Sequence, residues 1–216
     1  MKLFDSHLSH HSSRCRMQIY AKGLDLEIIS VPGQFTFDEL KELSSIGKIP
    51  TLEDGQEIFP ESAVIAEYLE DVYPDIALRP KGTRSLARMR LISRISDLYI
   101  SAPLETLFTQ VYLTTRNSEA VETGLEKLSQ GLDYLERYLD GTNGFAVNSK
   151  LTLADCTLVP TLYYVQSMLP AFPEATPLTQ WGKTHKYWST IQCEENSSKI
   201  LAEMKIAFSD WRDSNQ

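Results

Sequence analysis

Gly47-Lys48-Ile49-Pro50-Thr51-Leu52-Glu53-Asp54-Gly55, followed by Glu61-Ser62-Ala63-Val64-Ile65-Ala66-Glu67-Tyr68-Leu69, is the stretch that decides the fold. Pro50 withdraws a backbone N–H and permits a cis peptide bond, which costs only about 0.5–1 kcal/mol before proline against roughly 2.5–4 before other residues. A cis bond here would turn the Ile49 N–H and C=O outward, where an extended peptide could pair with them as an added strand. Glu61 and Ser62 open an amphipathic helix. They offer a carboxylate, a hydroxyl and free N–H groups to a charged peptide end. Either piece alone reads as an ordinary turn or an ordinary helix cap. At this spacing the pair reads as a backbone device for holding a small peptide.

Outward from that stretch the first third of the chain alternates. A strand near Lys2-Leu3-Phe4 precedes a helix from about Ser12 to Lys22, then a strand at Leu26–Val31 and a helix near Phe37–Leu43. Two strands flank Asp54-Gly55, a strong hairpin signal, and a helix runs from Glu61 to about Val72. Residues 1–74 therefore fit an α/β thioredoxin-like domain. Pro74, Pro80 and Gly82 mark residues 75–84 as a linker. From 85 to 216 the strand signals vanish and an all-α C-terminal domain is expected.

Leu86, Met89, Ile92, Ile95 and Tyr99 recur at helical steps, as do Leu125, Leu128, Leu132, Leu135 and Leu139. These are core stripes, with Tyr99 the pocket candidate among them. Pro103 should stop or kink the first long helix. Beyond it Leu104, Leu107, Phe108, Val111 and Tyr112 can form either core or an apolar and aromatic pocket wall. Thr152-Leu153-Ala154-Asp155 is a variant capping box that starts a buried helix.

The 216 residues carry a net charge of -8, which argues against a nucleic-acid surface. Arg84, Arg88, Arg90 and Arg94 read as a solvated helix face. Three widely spaced cysteines, Cys15, Cys156 and Cys193, suit a reducing cytoplasm better than a disulfide framework. Cys15 is expected inside the first helix as a small hydrophobe. No apolar run is long enough for a signal core or a membrane span, so a soluble cytoplasmic protein is expected. The adjacent His10 and His11 have no familiar metal spacing, and no metal is expected.

The order of these features resembles the glutathione S-transferase superfamily over almost the whole chain. Ile49-Pro50 and Glu61-Ser62 match its glutathione-contacting positions, and Leu151-Thr152-Leu153-Ala154-Asp155 is similar to its second-domain capping motif. The resemblance implies glutathione as cosubstrate, held by His11, Lys48, Ile49, Pro50, Glu61 and Ser62, and a homodimer. Ser9-His10-His11-Ser12-Ser13-Arg14 is similar to the zeta, theta and tau classes, in which a serine just before the first helix activates the thiol. Ser9 occupies that position, with Ser12 a second hydroxyl that could act on sulfur or cap the helix.

A cysteine-type thiol has a pKa near ~8.5, and lowering it by about two units requires roughly 2.7 kcal/mol. One charge-assisted hydrogen bond, about 1.5–3 kcal/mol, with a helix N-terminus, about 0.3–1, suffices. Ser9 need only donate that bond. The electrophile would then meet His10, Tyr99, Phe108 and Tyr112, and a small hydrophobic or aromatic one is preferred. The alternatives are a maleylacetoacetate-type cis-trans isomerase, which Ala154–Pro160 resembles, and a noncatalytic binding or scaffold protein of the same architecture. The isomerase family's dicarboxylate-binding arginine falls at Ser167 here, and its Ser-Ser-Cys run is replaced by Ser9-His10-His11.

Overall fold

A computed structural model of the protein describes residues 1–111, 113, 115–140 and 143–214. They form two compact units, residues 1–78 together with the last helix, and residues 79–194.

The first unit is built on four strands, β1 (Lys2–Asp5), β2 (Glu27–Ser30), β3 (Thr51–Asp54) and β4 (Glu57–Pro60), in the order β2-β1-β3-β4. β2 runs parallel to β1, while β3 is antiparallel to both β1 and β4. Alternation along β1 sends neighbouring side chains to opposite faces. Leu3 packs with Cys15 and Ile19 of α1 (His10–Ala21) and with Ile65 and Leu69 of α3 (Ser62–Val72). Phe4 points the other way, to Val31 and to Leu40 of α2 (Phe37–Leu43). The result is a sheet between two helical layers. Thr36 caps α2 through a capping box with Glu39.

Every described element of the second unit is a helix. α4 (Thr83–Ile95) passes into a π-helical turn (Ser96–Ser101) and continues as α5 (Ala102–Val111). Then come α6 (Ser118–Tyr138), α7 (Leu153–Met168) and α8 (Gly182–Ile191). The stripe Met89, Ile92, Ile95 is buried as expected, but the core continues through Ile100, and Tyr99 is 48% exposed. The π turn inserts an extra residue per turn and so swings the stripe by one position. It lies immediately before Pro103, whose missing N–H cannot bond the carbonyl four residues back, that of Tyr99. The helix therefore widens at the proline instead of stopping. That carbonyl lies against α6 where residue 131 is glycine: a Cβ there would be 2.0 Å from Tyr99 O.

Asp155 closes the capping box of α7. Its carboxylate accepts from Thr152 N and Thr152 Oγ1, both at 2.8 Å, from Ala146 N at 2.7 Å and from the Tyr187 hydroxyl at 3.1 Å. Glu136 of α6 likewise accepts from Lys183 N, Thr184 N and Thr184 Oγ1, satisfying the N-terminus of α8. Arg84, Arg88, Arg90 and Arg94 are all exposed.

Two boundaries differ from the sequence reading. α4 begins at Thr83, inside the stretch read as linker. The last helix, α9 (Glu195–Ser214), groups with the first unit and not with the other helices. It buries Ser197, Ile200 and Met204, the Glu203 carboxylate pairs with the buried Arg16 of α1 and accepts from the Tyr20 hydroxyl, and Lys199 lies 3.4 Å over the Tyr20 ring. A pairing of residues so far apart leaves no periodic trace in the sequence. No described helix is long and apolar enough to cross a membrane.

Candidate functional site

Strand register decides which loops meet. Phe4 of β1 lies beside Thr51 of β3, Thr51 lies beside Pro60 of β4, and Asp5 lies beside Ser30 of β2. The segments Ser6–Ser9, Lys48–Pro50 and Glu61–Ser62 therefore leave the sheet at one and the same end. His10 and His11 open α1 there, so the structure brings together Ser9, Ser12, His10, His11, Lys48, Ile49, Pro50, Glu61 and Ser62.

The Ile49–Pro50 peptide is cis. The Lys48 carbonyl accepts from Thr51 Oγ1 at 2.7 Å, which fixes the turn into β3. Glu61 precedes α3 with φ 75° and ψ 110°, in a region that non-glycine residues seldom occupy, and its exposed side chain makes no capping hydrogen bond. Such a conformation costs of order 1–3 kcal/mol and clusters at ligand-binding positions. Ser62 is buried, and its carbonyl accepts from the Cys15 thiol at 3.7 Å. Burial raises that thiol to about 12, so Cys15 stays protonated and structural.

At α1 the geometry shows which of the two serines caps the helix. Ser9 is the N-cap: its Oγ accepts from Ser12 N at 3.2 Å, and its carbonyl accepts from Ser13 N. The sequence reading had offered Ser12 for that place. Ser12 is instead fully buried, with its hydroxyl oxygen accepting from Ser6 N at 3.4 Å. A hydroxyl has one proton and two lone pairs, so capping engages a lone pair of Ser9 and not its O–H. The His10 and His11 rings lie 4.0 Å apart. Burial holds His10 well below the usual histidine range, with His11 and Arg14 adding to the effect, so it is neutral near pH 7.

Of the electrophile candidates, His10 opens α1 in the first unit, while Tyr99 and Phe108 belong to the second. Phe108 is half-buried and meets Tyr164 of α7 edge-on at 6.2 Å. Tyr99 lies elsewhere, edge-on to Tyr134 at 5.3 Å in a groove of about 720 Å³ between the π turn, α5 and α6. Leu104 and Leu107 belong to the core. Tyr112 lies outside the described residues. Ser167, at the position where the isomerase family has an arginine, is half-buried on α7.

Sequence reasoning missed Tyr164, and it missed the buried charges Asp5 and Arg16 with their partner Glu203. An Arg-x-Arg pair inside a helix that otherwise packs into a core was the available signal for Arg16. Nothing local announced Glu203.

A mixed four-stranded sheet between helices, joined in one chain to a helical bundle and carrying a cis-proline before β3, defines a thioredoxin-like protein with an appended all-α unit. Residues 3–80 match the family model for the glutathione S-transferase N-terminal domain, and residues 88–193 match that for the C-terminal domain. The chain belongs to the glutathione S-transferase family, is an enzyme of that family, and has glutathione as cosubstrate.

It is 32% identical over 170 residues to a zeta-class glutathione S-transferase of Euphorbia esula, covering 76% of this chain and 75% of that one. It is 30% identical over 159 residues to a probable maleylacetoacetate isomerase of Caenorhabditis elegans, covering 70% and 72%. Among solved structures, a bacterial zeta-class maleyl pyruvate isomerase superposes with a TM-score of 0.77 at 23% identity, over 94% of this chain and 98% of that one.

Proposed function

We propose that the protein transfers glutathione to a small hydrophobic or aromatic electrophile, with Ser9 donating the hydrogen bond that holds the thiolate. The observation that carries this reading is the register. It gathers Ser9, the Ile49 backbone and the start of α3 at one sheet end, so a bound peptide reaching from Ile49 to Glu61 and Ser62 has its thiol near the start of α1. Ser9 is favoured over Ser12 because the Ser12 hydroxyl is buried against Ser6. His11 and Lys48 complete the peptide's surroundings.

In the second unit Phe108, edge-on to Tyr164, is the aromatic residue proposed for the electrophile, and in the first unit His10 is proposed as a neutral polar neighbour of the sulfur. Nucleophilic attack by a positioned thiolate then needs no protein nucleophile. The exposed Leu98, Tyr99 and Tyr134 support a homodimer in which a second copy covers this face. That assigns Tyr99 to the partner surface in preference to the substrate. A cytoplasmic location fits the three free cysteines.

A second reading, isomerisation of a cis-dienoate dicarboxylate with glutathione, is favoured by the names of two of the relatives above. Ser167 in place of an arginine weighs against it.

Ultraviolet titration of the bound thiol tests the first reading. Ser9→Ala should raise its pKa by about two units if one charge-assisted bond is lost, and by more than Ser12→Ala does. A greater shift in Ser12→Ala would exchange the two roles. Calorimetry on Ser62→Ala and Glu61→Gln should show weakened glutathione binding. A kcat/KM clearly higher for the cis-dienoate than for a neutral aromatic electrophile would install the isomerase reading.

A further inference from the structure

One buried cluster in the first unit is not absorbed by the site described above. Arg16 is 0% exposed, and its guanidinium reaches β1, the turn after it, α1 itself and α9. Nη1 donates to both carboxylate oxygens of Asp5 at the end of β1, at 2.6 Å each, and to the Ser6 carbonyl at 3.3 Å. Nη2 donates to Ser13 Oγ at 2.9 Å, within α1 itself, and Nε donates to Glu203 of α9 at 3.1 Å. The Ser6 carbonyl is the junction, since it also accepts from Ser9 N at 2.9 Å. Ser6 N donates to Ser12 Oγ, and Ser12 N donates to Ser9 Oγ. The turn that carries Ser9 is thus pinned from both sides of one residue, and one of the pins is Arg16.

We propose that Arg16, braced by Asp5 and Glu203, is a positioning residue for the Ser9 hydroxyl, so that the last helix tunes the glutathione thiol without touching it. The inference rests on the reading of Ser9 as thiolate donor. Two physical points carry it. A buried ion pair is weak evidence for stability, because apolar groups of similar volume often stabilise as well or better. A guanidinium fork, by contrast, fixes direction, with planar donors that leave its partners little freedom. Here one arm of the fork, Nη1 to the Ser6 carbonyl, holds the turn before α1, while its other bonds to Asp5, Ser13 and Glu203 fix the direction of that arm. A hydrogen bond to sulfur weakens steeply once its angle opens, so a small tilt of the turn is felt at the thiol.

Charged and titratable neighbours packed around the cluster are His7, whose Nε2 is 3.8 Å from Asp5, Tyr20, which donates to Glu203 at 3.0 Å, and Lys199 over the Tyr20 ring. Glu203 is the useful handle. Its side chain is 20% exposed, whereas those of Arg16 and Asp5 are 0% and 1%, so its truncation disturbs folding least.

The direction of the effect separates positioning from simple electrostatics. Removing a negative charge near a thiol lowers its pKa, while loosening its hydrogen-bond donor raises it. Glu203→Ala should raise the pKa of bound glutathione by about one unit, a roughly tenfold loss of thiolate and of kcat below that pKa. KM for glutathione should stay within about twofold. Glu203→Gln keeps an acceptor for Arg16 Nε and should restore the wild-type pKa or fall slightly below it.

In a Ser9→Ala background, Glu203→Ala should move the thiol no further, because the two act through one bond. An unmoved or lowered thiol pKa in Glu203→Ala, even with a depressed melting temperature, leaves the cluster a purely structural clamp and overturns the inference. So does an equal shift in both backgrounds. If Ser9→Ala itself leaves the thiol unchanged, the Ser9 assignment fails first and takes this inference with it.

Discussion

Replacing Gly131 with alanine should be the most destabilising single-methyl change in the helical unit. The added Cβ would lie 2.0 Å from Tyr99 O, 2.6 Å from Tyr99 C and 3.1 Å from Ile100 Cγ1, where ordinary contact begins at 3.4 Å. The shortfall at the carbonyl is 3.4 − 2.0 = 1.4 Å. Tyr99 O is backbone in the π turn, so no side-chain rotation relieves it. Either α6 must retreat or the turn must rewind. Overpacking of a close-packed interior costs about 1–3 kcal/mol, and a backbone clash belongs at the upper end. Alanine returns about 0.8–1 kcal/mol over glycine through helix propensity. A net loss near 2 kcal/mol lowers Tm by about 4–8 °C in a chain of this length.

Differential scanning calorimetry on a graded series reads this directly. Gly182→Ala, with no atom within 4 Å, should be neutral or stabilising. Gly124→Ala meets Leu107 Cδ2 at 2.9 Å, the movable end of a side chain, and should cost less than Gly131→Ala. A wild-type Tm for Gly131→Ala, or a rank order in which Gly124→Ala is worse, would refute the account of why α6 carries glycine there.

His10 should make stability fall in mild acid: its folded pKa lies below the ordinary value, so the unfolded chain binds the proton first and stability is lost as pH drops through about 6.5 toward the folded value. Denaturant titrations should show that loss in the wild type and a flatter profile in His10→Gln; parallel profiles would remove the half-buried, neutral histidine. Sedimentation equilibrium should find a dimer at micromolar concentration that Tyr134→Asp weakens, and a monomeric wild type would return the Tyr99 groove to the list of ligand sites.

How much of this was legible follows from which interactions are local. α2 is expected near Phe37–Leu43 and found there, its start held by a capping box, Thr36 with Glu39, that lies within four residues. The Asp54-Gly55 hairpin and the Thr152–Asp155 box are legible for the same reason. Tyr99, the pocket candidate of its stripe, leaves the core and lines a groove, because a π turn before Pro103 breaks the count that a uniform helix would keep. Ser9 was read as the donor and Ser12 as the alternative cap. Either serine satisfies the cap preference, and only the turn through Ser6 decides between them. α9, read in sequence with the helical domain, groups with the first unit through contacts such as Glu203 with Arg16, which join residues nearly the whole chain apart and leave no local signal.

The cap geometry also constrains how Ser9 can do two jobs at once. Losing a serine N-cap costs about 1 kcal/mol, so Ser9→Ala alone confounds a frayed helix with a missing donor. Aspartate caps a helix as well as serine but, when ionised, has no proton to give. If Ser9 acts by donation, Ser9→Asp should keep the thermal stability of the wild type and lose the thiolate more completely than Ser9→Ala, since a negative charge now faces the sulfur. Were the helix terminus alone responsible, Ser9→Asp and the wild type would differ only by that charge, and Ser9→Ala would lower activity in proportion to its lost stability. A hydroxyl is the group that accepts from Ser12 N and still has a proton to donate, which is a physical reason for serine at the junction of turn and helix.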